Sequence, residues 1–125
     1  MKILLVDDEI EFVSALAERL SMRGIDADWV SIPEDAVSRV REKGCYDIAV
    51  LDVKMPKVSG LTLKKELHKI CPDMKFIFLT GHGSEDAYKE GASAAGADYY
   101  LLKPVQIEQL LLKIKIVAGD GRKEG

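Results

Sequence analysis

Three stretches of the chain are apolar almost without a break: KILLV (Lys2–Val6), DIAVL (Asp47–Leu51) and KFIFL (Lys75–Leu79). Between them the apolar positions change rhythm. Val13, Leu16, Ala17 and Leu20 recur at the i, i+3, i+4, i+7 spacing of one helical face. Leu63, Leu67 and Ile70 share that interval, as do Ile107, Leu110, Leu111 and Ile114. The pattern predicts five strands alternating with five helices. Strand one is Lys2–Val6, strand two runs from about Ile25 to Val30, and strand three is Asp47–Leu51. Strand four is Lys75–Leu79 and strand five is Asp98–Leu102.

Punctuation supports these boundaries. Gly24 followed by Ile25 fits a glycine closure of helix one with its hydrophobic follow-on. Ser31 and Glu34 have capping-box spacing for helix two, with Pro33 in its first turn and Gly44 after its end. Ser59 fits the cap of helix three, and Pro72 stops it. Ser84 opens helix four, where Glu85 and Asp86 suit the positive end of the dipole. Gly81, Gly83, Gly91 and Gly96 around that helix predict the least stable helix of the five. Pro104 starts helix five.

Alternating strands and helices imply a parallel sheet with helices on both faces. Strands one, three and four read as covered on both sides, as central parallel strands are. Strand two, IDADWV, alternates polar with apolar, and strand five mixes Asp98 with two tyrosines, so both belong at edges. The order that places them there is 2-1-3-4-5, a flavodoxin-like, doubly wound (βα)5 three-layer α/β sandwich. Ligands in such sheets bind at the carboxyl ends of the strands, at the switch point between strands one and three. Asp7 and Asp8 follow strand one, and Asp52 follows strand three.

Composition narrows the function classes. The chain has 125 residues, room for one domain with a real core. Apolar residues make up 47% and charged residues 31%, ordinary for a globular domain, and the net charge is −3. Lys and Arg are scattered, so no electrostatic footprint for nucleic acid appears. No apolar run reaches membrane-spanning length, and KILLV is too short for a signal-peptide core; the chain reads as cytoplasmic. Cys45 and Cys71 lack partners at metal-ligand spacing and read as buried or loop thiols in a reducing compartment. GDGRKEG, residues 119–125, has no periodicity and reads as a disordered tail or linker.

Carboxylates gathered at strand ends repel one another. At an effective dielectric near 20, two charges about 4 Å apart interact by roughly 4 kcal/mol. A hard divalent cation relieves this, and an all-oxygen set without His or Cys favours Mg²⁺ over zinc. A carboxylate in such a site can attack phosphorus and form an aspartyl phosphate. Lys103 and Thr80, at the ends of strands five and four, then supply a positive charge and a hydroxyl for the phosphoryl oxygens.

With these pieces in order, the chain closely resembles the bacterial two-component response regulator receiver domains, over about residues 2–118. The motifs are Asp7-Asp8; DIAVLDVKMPKVSG with Asp52, Met55, Pro56 and Gly60; FIFLTG with Thr80; and ADYYLLKP with Tyr100, Lys103 and Pro104. The resemblance implies that Asp52 accepts a phosphoryl group from a sensor histidine kinase or phosphotransfer protein. It implies Mg²⁺ held by Asp8 directly, by Asp7 largely through water, by Asp52 and by the backbone carbonyl of Lys54. Thr80, Lys103 and the backbone of Gly81 would grip the phosphoryl oxygens. Thr80 moving inward would draw Tyr100 from exposed to buried, remodelling the surface of helix four, strand five and helix five toward an output domain or downstream protein. The Lys103–Pro104 bond is expected to be cis. Lys54 and His82 read as tuners of dephosphorylation or, equally, as solvated loop side chains.

A second stripe on helix five, Val105, Leu112 and Ile116, reads either as a homodimer or partner surface or as half-covered boundary residues. Trp29, at the end of an edge strand, reads as packing. The chemistry expected is self-phosphorylation, not turnover of an outside substrate. A Mg²⁺-dependent phosphatase with an Asp nucleophile is a rival, but the position two residues after the nucleophile is Lys54 rather than an acid. A flavin carrier would need a phosphate cradle where Asp7-Asp8-Glu9 stands. A receiver-like scaffold that is never phosphorylated is the third alternative.

Overall fold

A computed structural model describes residues 1–81 and 100–119. The strands are β1 (Lys2–Val6), β2 (Asp26–Val30), β3 (Ile48–Asp52), β4 (Lys75–Thr80) and β5 (Tyr100–Leu102). The helices are α1 (Ile10–Ser21), α2 (Pro33–Lys43), α3 (Gly60–Ile70) and a C-terminal helix (Ile107–Gly119). The predicted fourth helix, with its expected low stability, and the tail beyond Gly119 lie outside the described residues.

The sheet is parallel in the order β2-β1-β3-β4-β5, as the strand compositions require. Each central strand sends alternate side chains to opposite faces, which is why its sequence is apolar throughout. On one face Leu4, Val6, Ala49, Leu51, Phe76 and Phe78 pack with Ala36 and Val40 of α2 and Leu63 and Leu67 of α3. On the other, Ile3, Leu5, Ile48, Val50, Ile77 and Leu79 meet Val13, Leu16 and Leu20 of α1 and Leu110, Ile114 and Val117 of the C-terminal helix. Trp29, on edge strand β2, is partly buried against that second cluster.

The local signals hold at two helix ends. Gly24 takes φ 82°, the Ile25 amide donates to the Leu20 carbonyl at 3.1 Å, and the Gly24 amide donates to Ser21 at 3.0 Å. That pair of bonds is a Schellman closure of α1. The Ser59 hydroxyl oxygen accepts from the Thr62 amide at 3.1 Å and caps α3.

β3 and β4 each run one residue past the expected end, to Asp52 and Thr80, and two helix starts differ from expectation. The Ser31–Glu34 capping box does not form: α2 has Ile32 as its N-cap, with φ −127° and ψ 129°, and no side-chain cap bond. Proline disfavours the helical region for the residue before it, so Ile32 is the last extended residue and Ser31 falls one position too early. The last helix begins at Ile107 rather than Pro104, its first carbonyl being that of Gln106, which accepts from the Leu110 amide at 3.1 Å. The Lys103–Pro104 bond is cis.

The cysteines are also not the thiols expected. Cys45, in the loop between α2 and β3, and Cys71, at the end of α3, form a disulfide with Cα atoms 5.8 Å apart. Their separation of 26 residues hides this proximity from any local reading. The enclosed loop carries β3 and α3.

Candidate functional site

β1 and β3 lie side by side, pairing Val6 with Leu51. Asp7 therefore leaves the sheet next to Asp52, the last residue of β3. One carboxylate oxygen from each of Asp7, Asp8 and Asp52 lies within 4.8 Å of the others. Asp7 and Asp52 are buried, at 1% and 4% exposure, while Asp8 stands at the exposed mouth.

β4 and β5 bring in the remaining groups. The Lys103 amide donates to the Thr80 carbonyl at 2.7 Å, which fixes the backbone that carries the lysine. Its Nζ is 2.8 Å from Asp7 Oδ2 and 3.6 Å from Asp52 Oδ1. It also lies 2.9 Å from Glu9 Oε1 and 5.0 Å from the centre of the Phe12 ring. Thr80 is fully buried, and its hydroxyl has no hydrogen-bond partner among the described residues. A buried hydroxyl is costly to leave unpaired.

The electrostatics are those of a crowded anionic site. Burial, then the charge of Asp7, push the Asp52 carboxyl up to about 6; Lys103 opposes this and Asp8 adds to it. Burial also raises Asp7 above the ordinary carboxylate range, against the hydrogen bonds from Lys103 and the Glu9 amide. For Lys103, burial works to lower the ammonium, but the bonds to Asp7 and Glu9 prevail and raise it to about 12. One lysine thus leaves the cluster short of positive charge. The donor set is all oxygen and closely spaced, which suits a hard divalent ion.

Other residues singled out in the sequence fall around this centre. Gly81 follows β4 directly and lines a cleft with Glu9, Phe12 and Lys103. Lys54 is exposed, and its backbone amide donates toward Asp52. Gly60, at the start of α3, is pressed so closely onto the Asp52 carbonyl oxygen that a Cβ there would overlap it. Tyr100 is 2% exposed and stacked on Phe78 with ring centres 4.9 Å apart, so the exposed resting position implied by the resemblance is not the one found. His82 lies outside the described residues. The sequence reading gave no positive role to Glu9 or Phe12. The available signal was a glutamate in the N-cap place of α1, where short side chains are preferred.

Fold and site together define a doubly wound α/β domain with a cation-ready carboxylate cluster at its switch point. The family model of the response regulator receiver domain matches residues 3–115, and the chain belongs to that family. It is 40% identical over 110 residues to the two-component response regulator PhoP of Pseudomonas aeruginosa, covering 88% of this chain and 48% of that protein. It is 34% identical over 116 residues to the transcriptional regulatory protein CpxR homolog of Haemophilus influenzae, covering 93% of this chain and 49% of that one. The chain therefore spans about half the length of these curated relatives. Among solved structures, a receiver domain protein from Clostridium thermocellum superposes with a TM-score of 0.84 at 33% identity, covering 98% and 96% of the two chains. A CheY-like receiver from Methanospirillum hungatei gives a TM-score of 0.84 at 31% identity, covering 99% and 98%. Among the described residues, no helix is long and apolar enough to cross a membrane.

Proposed function

We propose that this chain is the phosphoacceptor receiver of a two-component phosphorelay, with Asp52 as the residue phosphorylated. One observation carries the reading: a buried, proton-hungry carboxylate sits 3.6 Å from a lysine that is shared with a second buried carboxylate. Asp7, Asp8, Asp52 and the Lys54 carbonyl would hold Mg²⁺. When bound, the ion would screen the carboxylates and draw charge from the phosphoryl oxygens.

In the transfer, an Asp52 carboxylate oxygen attacks the phosphorus of a phosphohistidine on the partner kinase or phosphotransfer protein. A P–O bond forms, the P–N bond breaks, and the imidazole leaves with the electron pair and takes up a proton. Lys103 donates to a phosphoryl oxygen. The orphan hydroxyl of Thr80 and the backbone of Gly81 donate to others. Thr80 and Tyr100 form the switch, which works from a Tyr100 already buried in the unmodified chain, with Lys54 and His82 as tuners of phosphoryl loss. The chain's chemistry is confined to its own aspartate, and it acts on no outside substrate.

The output surface is the fourth predicted helix, β5 and the C-terminal helix. Leu102, Leu112 and Ile116 there are exposed, at 44%, 59% and 41%, which suits a homodimer or an output domain. We assign residues 1–118 to the receiver and 119–125 to a tail or linker, in the cytoplasm with its kinase. Direct binding to nucleic acid or membrane is not part of this reading.

Intact mass after incubation with phosphoramidate and Mg²⁺ tests the assignment. One added phosphoryl group, absent in Asp52→Asn, is expected. No addition would favour a scaffold that is never phosphorylated. Steady turnover of an added phosphate ester would favour the phosphatase. Mg²⁺ should also raise the melting temperature of the unmodified chain, and Asp8→Ala should abolish that rise.

A further inference from the structure

The Lys103 ammonium that must serve Asp52 is held on other sides. It has three protons to donate. Asp7 and Glu9 lie at 2.8 and 2.9 Å, the Phe12 ring flanks the ammonium at 5.0 Å, and Asp52 is farther away at 3.6 Å. Glu9 has no helical reason for this placement. It stands at the N-cap of α1, yet its side chain makes no cap bond and instead meets a residue 94 positions away in the chain. Its backbone amide donates to Asp7 Oδ1 at 2.9 Å, so Asp7 braces Glu9 with one oxygen and faces the lysine with the other.

The two carboxylates differ in what losing the lysine would cost. The Asp7 side chain is 2% exposed, and in the metal-free chain it would be a buried, unpaired charge without its partner. The Glu9 side chain is 64% exposed, and water can take the lysine's place. Of the two contacts, the one to exposed Glu9 is therefore the less costly to give up when a phosphoryl group arrives.

We propose that Glu9 is a positioning residue that holds Lys103 on the α1 side of the site in the unphosphorylated protein and releases it when Asp52 is phosphorylated. Glu9 thereby restrains phosphoryl uptake. The proposal rests on Asp52 being the phosphoacceptor.

The test compares the unsubstituted chain with Glu9→Gln and Glu9→Asp. The shorter aspartate keeps the charge but loses the reach. Two readouts are used: acetylation of Lys103 by an N-hydroxysuccinimide ester without Mg²⁺ or donor, and the rate of phosphoryl uptake from phosphoramidate with saturating Mg²⁺. Both variants should acetylate Lys103 faster by about two- to fivefold, the range of a weak exposed pair. Exposed Lys65 and Lys69 should not change. Uptake should rise by a similar factor in both variants. Unchanged Lys103 labelling in both variants would overturn the proposal. So would a Glu9→Asp chain that matches the unsubstituted one while Glu9→Gln differs, since charge alone would then explain the effect. No uptake by the unsubstituted chain would instead remove the phosphoacceptor reading, and this proposal with it.

Discussion

Replacing the acid at the centre of the site should make the metal-free chain more stable. Asp52 is 4% exposed, and its carboxyl is pushed from an ordinary 3.8 to about 6. An acid with a higher pKa in the folded than in the unfolded state binds more protons when folded between the two values. Stability is therefore lost as pH rises through that window, and the whole penalty applies above it. Roughly two decades at about 1.4 kcal/mol each give about 3 kcal/mol. Water at the mouth beside exposed Asp8 screens part of this, leaving about 2–3 kcal/mol. Asparagine keeps the shape and cannot ionise. Urea unfolding with a chelator present, at about pH 7.5 and about pH 4, measures the difference. Asp52→Asn should be about 2–3 kcal/mol more stable at the higher pH, roughly 8–12 °C in melting temperature. At the lower pH the two should nearly coincide. A gain of the same size at both pH values, or a loss at the higher one, would refute the argument that ionisation of a buried carboxylate is the cost.

Three further outcomes follow from the packing. Gly60→Ala should destabilise by about 1–3 kcal/mol, because the new methyl group meets the Asp52 backbone rather than a movable side chain; unchanged urea unfolding would count against that close approach. Cys45→Ser, made at the exposed end of the disulfide, should cost about 3.5 kcal/mol for a 26-residue loop; two titratable thiols in the unreduced, unfolded chain would show that the bridge is absent. Thr80→Val should raise metal-free stability by about 1 kcal/mol by removing the orphan hydroxyl at constant shape; a clear loss in thermal unfolding would mean that the hydroxyl is bonded.

Local chemistry made much of the molecule legible. The unbroken apolar runs of β1, β3 and β4 announced strands covered on both faces, and the alternation in β2 announced an edge. Gly24 and Ser59 marked helix ends because their effects act within a few residues. Ser31 misled because spacing alone ignored the constraint that Pro33 places on Ile32. The start of the last helix was missed because Pro104 is a common first helical residue, yet here it precedes the helix by three positions.

The sequence by itself determined the strand order, the two-faced core and the convergence of Asp7, Asp8, Asp52 and Lys103, because residue periodicity and strand ends dictate them. Only the tertiary structure decided which atoms meet. It joined Cys45 to Cys71, stacked Tyr100 on Phe78 and set Glu9 against Lys103. Those pairs depend on strand register and helix packing across many intervening residues, and no short-range pattern encodes a distance of that kind.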